Sequence, residues 1–157
     1  MEALDFLYEA VKNSIEAKAD SICVSLDQAE GRLHVTVVDD GQLSVTSDPF
    51  APGYSTKGKG RGRGLSLLKS FDEGASLARE NGKTILSFCL DADGPLEAEE
   101  TLPLLFSLCW ENGVKLGITL GDRFFSTEKF ALEFGALNEG SAIARMKREI
   151  TSKDNRS

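Results

Sequence analysis

The chain has 157 residues and a formal net charge of −7, which allows one domain with a sizeable core and room for a small appendage. That surplus of acid excludes a general nucleic-acid-binding protein, because a phosphate backbone is held by surplus cations. No signal peptide and no apolar run long enough to span a bilayer is visible, so no membrane partner is expected and the expected location is cytoplasmic. The three cysteines, Cys23, Cys89 and Cys109, show neither close pairing nor metal-ligand spacing, and their apolar neighbours predict buried free thiols.

Residues 3 to 18 carry Leu4, Leu7, Tyr8, Val11 and Ile15 at spacings of three and four, the pattern of an amphipathic helix. Glu9, Asn13 and Glu16 fall in a second stripe well away from that face, so one helix presents carboxylates and an amide together. For Glu16 a solvated polar face is the simpler reading. Ser21 to Leu26 and Arg32 to Val38 alternate apolar and polar residues and read as half-buried strands joined across Gln28 to Gly31. The second runs into Asp39-Asp40-Gly41, an acid and a glycine where a strand ends, a place that commonly carries function on a rigid frame. His34, the single histidine, lies opposite the apolar phase of its strand and reads as an ordinary surface side chain.

Residues 42 to 64 have no sustained period and collect turn signals such as Asp48-Pro49-Phe50 and Pro52-Gly53-Tyr54. A segment of that length is either disordered or a functional lid. It ends in Thr56 to Lys69, where Gly58, Gly60, Gly62 and Gly64 alternate with Lys57, Lys59, Arg61 and Arg63 before Leu65, Leu67 and Leu68 open a helix. Glycine admits close backbone approach, and the first N–H groups of a helix are unpaired, so the junction suits a phosphate-like anion. A flexible basic surface linker is the plain alternative. No Gly-Lys-Ser/Thr closes a P-loop.

Ala75 to Arg79 and Lys83 to Leu90 read as a hairpin across Asn81-Gly82. Leu102, Leu105, Phe106 and Cys109 mark a helix that stops at Asn112-Gly113. Val114 to Leu120 and Arg123 to Phe125 form a hairpin across Gly121-Asp122, and a last helix runs from about Asn138 through Ile143, Met146 and Ile150 into a polar tail. This portion shows no cluster of acid, base and nucleophile and reads as structural or partner-binding.

Four blocks in fixed order then resemble the GHKL (Bergerat-fold) ATP-binding module shared by histidine kinases, gyrase, mismatch-repair ATPases and anti-sigma-factor serine kinases. Glu9-Ala-Val-Lys-Asn13 resembles its N box, and Val37-Val-Asp39-Asp40-Gly41 its first glycine box. Asp48-Pro-Phe50 with Tyr54-Ser-Thr-Lys57 resembles the F box and lid, and Gly60-Arg-Gly62-Arg-Gly64-Leu65 the second glycine box. The likeness covers residues 3 to about 90 and is similar in particular to small stand-alone bacterial ATP-binding proteins. It implies an α+β fold, a two-layer α/β sandwich with a mixed, mostly antiparallel sheet and helices on one face. Residues 1–92 would form the ATP-binding domain with lid 42–64, and residues 93–157 a C-terminal helix-hairpin-helix extension packed on it.

The resemblance assigns roles residue by residue. Asp39 would accept a hydrogen bond from the adenine amino group, with Gly41 in the turn beside it. Asn13 would bind Mg2+, Gly60, Gly62, Gly64 and Leu65 would offer backbone N–H groups to phosphate, and Lys57, Lys59, Arg61 or Arg63 would close on it from the lid. Glu9 stands where related ATPases keep the residue that orients or deprotonates water. The family's first glycine box commonly has a second glycine where this chain has Leu43, and there is no transducer domain or phosphoacceptor hairpin. The expected function is an ATP- and Mg2+-binding switch with slow or partner-dependent hydrolysis, acting on a partner protein, with a homodimer left open. An anti-sigma-type protein serine kinase and an interaction module without nucleotide are the alternatives.

Overall fold

The computed structural model describes residues 3–41, 74–92 and 97–151. Its first helix, α1 (Ala3–Glu16), buries Phe6, Leu7, Ala10, Val11 and Ser14. Of the apolar stripe in the sequence, Leu7 and Val11 are buried, whereas Leu4, Tyr8 and Ile15 are only partly buried at its flank. The core face is therefore turned toward Ala10 and Ser14, and this brings Asn13 to its border rather than to the far side of the helix.

β1 (Ser21–Ala29) and β2 (Arg32–Asp39) form an antiparallel pair. Glu30 and Gly31 between them both have positive φ, 55° and 76°, as a two-residue type I′ turn requires. Asn81 and Gly82, at 53° and 77°, make the same turn between β3 (Ser76–Glu80) and β4 (Lys83–Asp91). After α2 (Ala98–Glu111) come β5 (Lys115–Leu120) and β6 (Arg123–Ser126). The strands make one six-stranded sheet in the order β3-β4-β2-β1-β5-β6, in which only β1 and β5 run parallel.

Alternation divides the sheet into two faces. Ile22, Val24, Leu26, Leu33, Val35, Val37, Leu86, Phe88, Leu90, Leu116 and Ile118 all point inward and are buried against the helices. The fold is the expected two-layer α+β sandwich. Cys23, Ser25 and Asp27 on the opposite face of β1 are exposed. This corrects one expectation about the thiols: Cys23 is exposed and Cys89 half-buried, and only Cys109 is buried. Cys23 and Cys89 are out of phase with the inward residues of their strands, and that outweighs their apolar sequence neighbours. Desolvation pushes the Cys109 thiol up from 9.0 to about 12.

The C-terminal elements include a helix that the sequence pattern did not reveal, α3 (Thr127–Phe134). Ser126 caps it, its hydroxyl accepting from the Lys129 N–H at 3.1 Å. α4 (Gly140–Thr151) buries Ala142, Met146 and Ile150. Arg123 of β6 donates to the Ile150 and Glu149 carbonyls at 3.0 and 2.9 Å, which satisfies the last carbonyls of that helix.

Candidate functional site

Along the inner face of the sheet one row is polar where its neighbours are apolar. Val37 of β2 stands opposite Leu86 of β4, and two residues further on Asp39 stands opposite Thr84. Directly opposed residues point to the same side, and both side chains are buried. Arg79 of β3 continues the row, in register with Thr84 and donating to its hydroxyl.

A carboxylate taken out of water must be hydrogen-bonded. Asp39 Oδ2 accepts from the Ser14 hydroxyl at 2.6 Å and Oδ1 from the Gly41 N–H at 2.8 Å. An ionised carboxylate has about four lone-pair positions, so two donors leave capacity for a further donor from a ligand.

The next two residues hold the end of α1. Asp40 Oδ1 accepts from the backbone N–H groups of Asp20 at 2.8 Å and Ser21 at 3.1 Å. These bonds, that from Ser21 foremost, hold the Asp40 carboxyl below its ordinary 3.8 against an opposing desolvation. Gly41 is buried, and a Cβ there would stand 2.8 Å from the Ala17 carbonyl oxygen. Only glycine permits that approach. The helix itself closes with Lys18 at φ 65° and bonds from Ala19 N–H to Ser14 O and Lys18 N–H to Ile15 O, a Schellman turn with lysine in the usual glycine position. Asp39 thus ties α1 to the end of β2 through Ser14, Asp40 ties it to the turn that leads into β1, and Gly41 lets the chain pass close to Ala17.

That attachment sets the position of the polar residues on α1. Asn13 immediately precedes Ser14, and its amide nitrogen is buried with no hydrogen-bond partner among the described residues. Leaving such a group unpaired costs about 1–3 kcal/mol, which makes the amide a candidate contact for a ligand. The amide can turn to present its oxygen instead, and one neutral oxygen suits Mg2+, which otherwise keeps waters and phosphate oxygens. No group of three or more His, Cys, Asp or Glu that could hold a metal occurs among the described residues. Glu9 lies one turn before Asn13 on the same side of the helix, and both are half-buried.

Of the residues singled out in the sequence, the structure brings together Asn13, Asp39 and Gly41, with Glu9 next to Asn13. Lys57, Gly60, Gly62, Gly64 and Leu65, together with Leu43, lie outside the described residues. Ser14, Thr84 and Arg79 were missed. Thr84 did leave a signal, being the one polar residue in phase with Leu86, Phe88 and Leu90.

A buried acid at a strand end, and an amide nitrogen next to its Ser14 partner that has no hydrogen-bond partner among the described residues, are the polar groups this α+β sandwich offers to a ligand. The family model for histidine kinase-, DNA gyrase B- and HSP90-like ATPases matches residues 3–94. The chain belongs to that family and contains a GHKL-type ATP-binding domain. The match ends before α2, so β5 and β6 extend the family's sheet from beyond it. No curated protein matches the chain. None of the described helices is long and apolar enough to cross a membrane.

Proposed function

We propose that the chain binds Mg2+-ATP at the polar end of the sheet and acts as a nucleotide-dependent switch toward a partner protein. The observation that carries this reading is the unpaired Asn13 amide beside the Ser14–Asp39 hydrogen bond. It supplies an acceptor for a base and a polar ligand for a metal–phosphate group on adjoining residues.

In this reading Asp39 accepts from the adenine amino group. Ser14 and Gly41 hold the carboxylate in one orientation before the base arrives, so little ordering remains for binding to supply. Asn13 holds Mg2+, which when bound neutralises phosphate charge that side chains alone would leave exposed. Gly60, Gly62, Gly64 and Leu65 present backbone N–H groups to the phosphates, and Lys57 adds a positive charge. Glu9 is the carboxylate placed to orient or deprotonate water. Phosphoryl transfer depends chiefly on positioning and on charge stabilisation, often from a group outside the module. A single domain of this kind therefore hydrolyses slowly until a partner completes the site.

Calorimetric titration of ATP and ADP, with and without Mg2+, tests this on the parent and on Asp39→Asn. Mg2+-dependent binding by the parent is expected, with loss in the variant, whose amide places a donor where an acceptor is needed. Absence of binding by the parent would overturn the reading and favour an interaction module without nucleotide.

A further inference from the structure

The face of the sheet turned away from the helices carries a group of side chains that nucleotide binding does not use. His34 of β2 stands opposite Cys89 of β4, and Arg32 opposite Asp91. The Cys89 sulfur lies 3.5 Å from His34 Nε2, and the Arg32 Nε–H donates to it at 3.1 Å. Arg32 is further fixed by Nη1 to Asp91 Oδ1 at 3.0 Å and Nη2 to the Cys89 carbonyl at 3.3 Å. Asp27, in register with His34 on β1, completes the charged groups of this patch. A half-buried sulfur is thus held between a guanidinium and an imidazole.

From this arrangement we infer that Cys89 is a reactive thiol, oxidised by hydroperoxides to the sulfenic acid, with Arg32 and His34 as the residues that activate it. A thiol becomes nucleophilic as the anion, and a nearby fixed cation stabilises that anion. His34 takes the proton from the thiol. The sulfur attacks one peroxide oxygen, the O–O bond breaks, and the departing hydroxide takes the proton from His34 to leave as water. Sulfur loses two electrons to the peroxide, and thiol plus hydrogen peroxide become sulfenic acid plus water.

The other thiols are internal references. Cys23 is more exposed than Cys89, but its neighbours across the strands, Val38 and Gly117, bring no charge to it. Cys109 is buried and held protonated. Exposure alone would rank Cys23 first, whereas the cation–imidazole setting ranks Cys89 first. Asp91 opposes the effect by neutralising part of the Arg32 charge.

The experiment treats the full chain with limiting hydrogen peroxide in the presence of dimedone, which traps sulfenic acid. Adducts are quantified by mass spectrometry after trypsin and Glu-C cleavage, which separates Cys89 from Cys109. Cys89 should be trapped faster than Cys23 by roughly fivefold or more. Arg32→Gln and His34→Gln should each lower the Cys89-to-Cys23 ratio, while Asp91→Asn should raise it. Asp91 is a surface side chain, so that variant keeps the test independent of any loss of fold in the other two. Equal or faster trapping of Cys23 in the parent would overturn the inference, as would a ratio unmoved by Arg32→Gln or by Asp91→Asn.

Discussion

Two buried clusters in this protein are built on opposite terms. Around Asp39 the interior is polar: Ser14, Thr84 and the backbone of Gly41 supply directed groups, and the Asn13 amide nitrogen has no hydrogen-bond partner among the described residues. Between α2, β6 and α3 it is apolar, with four phenylalanine rings in contact. Phe130 meets Phe106 edge to face at 5.0 Å and stacks on Phe125 and on Phe134, each at 5.7 Å. Arg123 lies over the outer face of Phe125, 4.8 Å from its centroid. Apolar packing is non-directional and leaves nothing unsatisfied, so it stabilises without specifying a ligand. The polar cluster gives up some of that stabilisation and keeps acceptors that a ligand can use.

The comparison breaks most visibly at Phe130, which is 2% exposed and touches three other rings. Phe130→Ala should cost about 3–5 kcal/mol of folding stability through lost burial and a residual cavity. Urea unfolding should show the midpoint fall sharply, while the nucleotide affinity of the molecules that remain folded stays at the parent value. A large change in that affinity would mean that the aromatic cluster and the polar end are coupled.

Ser14→Ala sharpens the same contrast from the other side. It removes the donor to Asp39 Oδ2 and should cost about 1–3 kcal/mol, the usual loss when a buried charged acceptor loses a partner. Unlike Phe130→Ala it should also weaken ATP binding in calorimetry, because Asp39 is then free to turn away from the base. Unchanged affinity with lowered stability would make the Ser14 bond purely structural.

How much of this was legible in the sequence follows from how local each signal is. Strands, hairpin turns and the acid at the end of β2 depend on residues close in the chain, and Asn81-Gly82 announces its turn outright. The partners of Asp39 do not: Ser14 is 25 residues away and Thr84 belongs to another strand. The facing of α1 was hidden because Leu4, Tyr8 and Ile15 look like a core stripe, whereas close packing on the sheet favours the smaller Ala10 and Ser14. α3 was obscured by Phe124 and Phe125 just before it and by Leu132, an apolar residue that is 89% exposed. Cys23 and Cys89 were misjudged from their apolar sequence neighbours, and strand phase would have corrected them, whereas Cys109 is buried as expected.

The smallest effect concerns the clasp between the end of β2 and the turn that leads into β1. Asp40 is an exposed carboxylate whose folded-state proton affinity is lowered by the N–H groups of Ser21 and Asp20. The stability it contributes is present when pH lies above the unfolded value, near 3.8, and is lost as pH falls through the still lower folded value. Asp40→Asn should therefore cost a little stability at neutral pH, less than Ser14→Ala, because an exposed interaction is screened by solvent. On acidification the parent should lose this advantage and its unfolding curve should converge on that of the variant below pH 3.8. A difference that persisted unchanged into acid would show that the carboxylate charge is not what holds the turn.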